Sequence, residues 1–148
     1  MRRFVLFSVA LVAVCYANSL PNDFLGDDHF IVELNPAIRS ISPAQFLSSP
    51  FWGKDSNFGI YRPLVVLSFS IEYAVWQLWT PGFRLVNLLI HALNGVLVFM
   101  LARGILRSIP AAWAAAAVYF AHPVHTEAVA GIAGRSELLW LRSFFWLG

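Results

Sequence analysis

Phe83-Arg84-Leu85-Val86-Asn87-Leu88-Leu89-Ile90-His91-Ala92-Leu93-Asn94-Gly95-Val96-Leu97-Val98-Phe99-Met100-Leu101-Ala102 is the stretch that decides the fold. At about 20 residues it has the length a helix needs to cross a bilayer. Arg84, Asn87, His91 and Asn94 interrupt it at spacings of three, four and three, so they share one helical face. Polar groups in a membrane helix are costly and turn toward the bundle interior or a cavity. Interhelical hydrogen bonding as packing is the equal alternative, with Arg84 at the outer end the first choice for a function. The rest of the chain agrees with a membrane setting. It is 59% hydrophobic and 12% charged, against about a quarter charged in soluble domains. The net charge of +2 comes with scattered arginines and bears on topology; it implies no nucleic-acid partner. The single cysteine, Cys15, lies in an apolar segment and allows no intramolecular disulfide.

Working outward, residues 80–82 are a turn, and residues 64–79 form a second apolar stretch opened by Arg62-Pro63. Tyr73, Trp76 and Trp79 on it suit an aromatic belt. If 64–79 spanned, Arg103 and Arg107 would fall outside, against the positive-inside tendency. The stretch therefore reads as an in-plane or re-entrant helix on the outer face. Arg2-Arg3 precedes residues 4–20, either a cleavable signal peptide or, preferred, a retained anchor; at about 1.5 Å per residue it reaches roughly 25 Å. Both versions put residue 18 onward outside the cytosol. Residues 18–61 are then a long outer loop that includes Lys54 and Asp55, punctuated by Pro21, Pro36, Pro43 and Pro50, with short helices over 36–41 and 43–47. An alanine-rich span follows over 105–122, and a return helix begins at 138–148 with Arg142 inside it. The expected fold class is an all-α membrane protein. The chain ends within an apolar run and reads as part of a longer protein.

Two polar clusters then share the outer side: Asp27-Asp28-His29 in the loop, and His122, His125, Glu127, Arg135 and Glu137 after the alanine-rich span. An acidic pair alone is usually solvated loop. It gains weight here because both clusters open on one side, where Arg62 and Arg84 flank the interfacial helix; His91, from the stripe on 83–102, is a further candidate for lining the site. Arginine holds a lipid-linked phosphate, and a carboxylate takes a proton from an incoming hydroxyl. A metal on His122, His125 and Glu127 is the competitor. Pro123 breaks the helix there and no H-E-x-x-H pattern is present, so no metal site is expected.

The succession Asn18-Ser-Leu, Phe24-Leu-Gly-Asp27-Asp28, Phe51-Trp-Gly, Tyr61-Arg-Pro-Leu64, Phe83-Arg-Leu-Val-Asn87-Leu-Leu-Ile-His91-Ala and His122-Pro-Val-His125-Thr-Glu127, continuing to Gly134-Arg135-Ser-Glu137, resembles the transmembrane and tetratricopeptide-repeat-containing protein O-mannosyltransferases and their bacterial relatives. The likeness covers residues 18 to about 139. It implies the N-terminal part of a C-type glycosyltransferase bundle and a polyprenyl-phosphate or dolichyl-phosphate-mannose donor. It also implies a protein Ser or Thr acceptor, inversion at the sugar, and Asp27-Asp28 as the catalytic pair. Such a protein sits across the lipid bilayer several times, in the endoplasmic reticulum if eukaryotic and the inner membrane if bacterial. Gly26 stands where the family carries a bulky residue, and the tetratricopeptide repeats are absent from these 148 residues, so this piece alone is expected to be inactive. Two other classes compete. The polar stripe on 83–102 suits a transporter pathway, but the polar weight lies in loops on one side. A scaffold that only anchors repeats is the other.

Overall fold

The computed structural model describes residues 2–53 and 60–146. Lys54 and Asp55 lie outside these residues, and the side chains of Arg2, Arg3 and Arg142 likewise lie outside what is described. The described chain is helical, with no strand: α1 (Arg2–Tyr16), α2 (Pro43–Ser48), α3 (Pro63–Trp76), α4 (Thr80–Leu106), α5 (Ile109–Ala121), α6 (Thr126–Ala130) and α7 (Arg135–Trp146), joined by short helical turns.

The deciding stretch is α4, 27 residues and so about 40 Å long. Among the described residues it is the one helix long and apolar enough to cross a membrane. It outruns the expected 83–102 at both ends. Arg107 stops it by entering the left-handed region at φ 52°, its amide donating back to the Arg103 carbonyl at 3.1 Å. The Ser108 hydroxyl then accepts from the Ala111 amide and starts α5. Ile105 and Leu106 thus belong to α4, and the alanine-rich helix begins at Ile109 rather than 105.

α1 and α5 pack along α4. In α1 every fourth residue is buried, namely Phe4, Ser8, Val12 and Tyr16, the stripe an α-helix turns to one side. Phe4 stacks on Phe99 of α4 with centroids 4.0 Å apart and meets Trp113 of α5 edge-on. The Tyr16 hydroxyl donates to the Phe120 carbonyl at 3.1 Å. Gly95 lets α4 and α5 close up, since a Cβ there would sit 1.9 Å from the Phe120 ring. Val5, Leu6, Val9, Leu85, Leu89 and Leu93 face outward, giving α1 and α4 an apolar exterior.

A second core holds the loop in place. Phe24, Ile31, Val32, Ile38 and Phe51 of the loop pack with Val65, Val66 and Phe69 of α3, Phe83 of α4 and Ile132. α3 is shorter than the expected 64–79, because Gln77 takes φ 56° and ends it. The short loop helices form at Pro36–Ile38 and Pro43–Ser48, each with proline in its first turn. Asn35 ties this layer together. It is buried, accepts from the Ala37 amide, and donates to the carbonyls of Ile31 and Phe51.

Candidate functional site

The acidic pair splits. Gly26 takes φ 53°, a left-handed turn that favours glycine and accounts for the departure at that position. The chain then sends Asp28 inward, 1% exposed, and leaves Asp27 exposed. Asp28 Oδ1 accepts from the Ala133 amide at 2.8 Å, and Oδ2 accepts from the Leu25 amide at 3.4 Å with Arg84 Nη2 3.9 Å away. Asp28 is therefore a strut between the loop and the turn after α6. His29 pairs with Glu33 at 2.5 Å on the exposed side.

Asp27 lines a cleft of about 510 Å³, with Leu25, Gly26, Asp28, Ile31, Phe51, Trp52, Arg62, Glu127, Gly131, Ala133, Gly134, Ser136 and Glu137 making its other walls. Of the charged groups, Asp27, Glu127 and Glu137 are exposed and Arg62 is half-buried. Arg62 stands just before α3, with its guanidinium 4.9 Å from the centre of the Phe51 ring. Its Nη1 donates to Ser136 Oγ at 2.6 Å. The cleft thus offers a cation on an aromatic floor, three exposed carboxylates beside the buried Asp28, and the backbone turn 131–134. No group of three His, Cys, Asp or Glu side chains converges as metal ligands would among the described residues.

Two expected site arginines are elsewhere. Arg84 is fully buried, and its donors go to backbone carbonyls: Nε to Ala130 at 3.1 Å, Nη2 to Asp23 at 2.5 Å, and Nη1 to Asn22. Three of its five N–H donors are taken by backbone carbonyls, and it does not line the cleft. Arg135 is also fully buried. It forms a bidentate pair with Glu72 and donates to the Phe83 carbonyl at 2.8 Å, to Asn87 Oδ1 at 2.8 Å and to Ser68 Oγ at 3.2 Å. The Phe69 ring lies 4.5 Å from its guanidinium carbon. Burial raises the Glu72 carboxyl and lowers the Arg135 guanidinium, and each partner's charge opposes the other's shift. A guanidinium does not give up its proton in proteins, and its two-pronged contact favours the ionised form of Glu72.

The histidines form a separate cluster. His91 is fully buried in α4, stacked on Tyr119 at 4.9 Å and edge-on to Tyr16 and Phe120. His125 lies 4.5 Å from Tyr119 and 5.4 Å from His91, centroid to centroid. Burial, and then His122, push the His125 ring below its usual range. His122 is exposed and its Nδ1 accepts from the Val124 amide, closing the Pro123–His125 turn. None of the three lines the cleft.

The polar stripe on α4 is packing. Arg84 holds Ala130, Asn87 donates to the Gly131 carbonyl at 2.8 Å and accepts from Arg135, and Asn94 donates to the Leu138 carbonyl at 2.8 Å. Successive turns of α4 thus fasten successive pieces of the returning chain. Sequence reasoning missed Glu72 as the partner of Arg135, and Ser136 as the partner of Arg62. Glu72 had a signal: it is the lone acid of an apolar helix, and such a charge is buried only if paired.

Comparison with known proteins agrees with the likeness in the motifs. Protein O-mannosyl-transferase Tmtc2 of Drosophila melanogaster is 41% identical over 139 residues, 90% of this chain. Protein O-mannosyl-transferase TMTC3 of Mus musculus is 35% identical over 140 residues, 91% of the chain. Protein O-mannosyl-transferase TMTC4 of Homo sapiens is 38% identical over 156 residues, 93% of the chain. The chain spans 15% of the first two relatives and 21% of the third. No family model and no solved structure matches it. Over about nine tenths of its length, the chain is a relative of the protein O-mannosyl-transferases.

Proposed function

We propose, from this kinship with the protein O-mannosyl-transferases, that the chain supplies part of the active site of a membrane glycosyltransferase. The enzyme moves a sugar, mannose, from a polyprenyl-phosphate donor to a Ser or Thr hydroxyl of a protein, on the non-cytosolic side of a bilayer. Asp27 is the general base. It takes the hydroxyl proton as the oxygen bonds to the anomeric carbon. The bond from that carbon to the phosphate oxygen breaks on the opposite face, and the lipid phosphate leaves with the electron pair. Arg62 pairs with the donor phosphate, in the bound state and as it leaves alike. Phe51 and Trp52 give the sugar an apolar wall.

One observation carries this reading: of two adjacent aspartates, Asp27 is exposed in a cleft that also holds Arg62, while Asp28 is buried on an amide. A general base contributes about 10²–10⁴-fold. In the full-length protein, Asp27→Asn should lower the rate of sugar transfer by that factor with the melting temperature unchanged. Asp28→Asn should act mainly on stability, because it weakens the acceptor of the Ala133 amide. Transfer that survives Asp27→Asn at the wild-type rate would remove Asp27 from the chemistry.

A further inference from the structure

Glu72 does not line the cleft, yet it is tied to residues that do. α3 carries Arg62 just before its first turn and Glu72 ten residues later, about 15 Å along the axis. α7 opens with Arg135 and Ser136. Both residues of that opening are bound to α3. Ser136 Oγ accepts from Arg62 Nη1 at 2.6 Å, and Arg135 grips Glu72, with Ser68 and the Phe69 ring between. The four residues close a circuit from the cleft into the core and back: Arg62, Ser136, Arg135, Glu72.

We propose that Glu72 is a positioning residue for the cleft, acting through Arg135 and Ser136 to set the place of the Arg62 guanidinium. This rests on the transferase reading above. Without the Glu72 charge, a fully buried guanidinium has no counter-ion, and an uncompensated buried charge moves or draws in water. The turn beside it cannot absorb that motion. Gly134 is packed so closely that a Cβ there would lie 2.5 Å from the Ala128 backbone. The displacement passes instead to Ser136, and Ser136 holds Arg62. The effect therefore falls on binding of the anionic donor rather than on the proton transfer at Asp27.

The test is a double-mutant cycle in the full-length protein in lipid nanodiscs, with a synthetic polyprenyl-phosphate-mannose donor and an acceptor peptide. Glu72→Gln should raise the donor KM about tenfold with kcat within about threefold, the pattern of lost uniform binding. Ser136→Ala, which leaves the buried pair intact, should raise the donor KM by a similar factor without lowering the melting temperature. The double variant should be no worse in KM than either single one, because both act through one circuit. A merely structural Glu72 would reduce the amount of folded enzyme and leave the KM of what remains unchanged. If Glu72→Gln does not accumulate, Glu72→Asp, which withdraws the carboxylate by one methylene, should raise the KM about threefold. Wild-type KM in Ser136→Ala, or fully multiplying effects in the double variant, would overturn the proposal. Asp27→Asn run alongside separates the two ideas: transfer at wild-type rate in that variant sinks the catalytic reading, while retention of the labelled donor on a filter still reports the circuit.

Discussion

Arg84→Met tests whether the outer end of α4 is architecture or binding site. The change removes a guanidinium that is 0% exposed and that donates to three backbone carbonyls, those of Asn22, Asp23 and Ala130. Methionine fills much of the volume but leaves the Asp23 and Ala130 carbonyls unpaired, while the Asn22 carbonyl keeps the Thr80 hydroxyl; a charged hydrogen bond is worth about 1.5–3 kcal/mol net. The two orphaned carbonyls together account for about 3–6 kcal/mol. Partial relaxation and water entry bring the expected figure to about 4 kcal/mol. Asp28 adds to it, since its carboxylate stands 3.9 Å from the lost charge. Arg84→Lys should recover little, because one ammonium on a flexible stem cannot reach three carbonyls on two segments. The assay is denaturant unfolding of the purified full-length protein followed by intrinsic tryptophan fluorescence, paired with donor KM measured on the folded fraction. The expected result is a large loss of stability and an unchanged KM. A variant that unfolds like the wild type but binds donor at least tenfold more weakly would refute the assignment and return Arg84 to the phosphate.

Two further outcomes follow from the packing and the titrating groups. Gly95→Ala should destabilise by about 1–3 kcal/mol through overpacking, because the added methyl meets the Phe120 ring at 1.9 Å; Phe120→Leu should recover part of that loss in the same unfolding assay. The His125 ring titrates below its usual value when folded. The unfolded chain therefore binds the extra proton first, and the stabilisation is complete above about pH 6.5 and lost as pH falls below it. His125→Gln should flatten the fall in melting temperature between pH 7 and pH 5, and an unchanged slope would place the pH response on other groups.

Periodicity and charge made the frame legible, and solvent exposure decided what they could not. Spacings of three, four and three put Arg84, Asn87, His91 and Asn94 on one side of one helix, and that side is buried throughout. The pattern is equally good for a pathway and for a zipper. The difference lies in what stands opposite, here the carbonyls of residues 130, 131 and 138. The pairing of Glu72 with Arg135 bridges 63 residues, and no local rule selects it from the other arginines. Asp27 and Asp28 are alike as letters. A left-handed turn at Gly26 and an amide at Ala133 make one a strut and leave the other open. The histidines misled for a related reason: His122 and His125 stand next to Glu127 in the chain, but the Pro123–His125 turn sets His125 against Tyr119 and leaves His122 exposed, while Glu127 borders the cleft.

The buried charges balance one another, and that fixes what the cleft has left. Arg84 lies against Asp28, and Arg135 holds Glu72, so each inward guanidinium has its own carboxylate. The remaining lining is Asp27, Glu127 and Glu137 against Arg62 alone, one cation for three acids. In the proposed reaction an anionic phosphate has a single favourable place in such a field, over Arg62. A neutral hydroxyl suffers no such repulsion near the acids. The polarity of the cleft then orients the two substrates before any specific contact forms, with the leaving group toward α3 and the nucleophile toward Asp27. Moving Arg62 would cost more than one hydrogen bond, because the direction of the reaction is written in the position of that one charge. The fold accordingly spends a buried ion pair and a serine on holding it still.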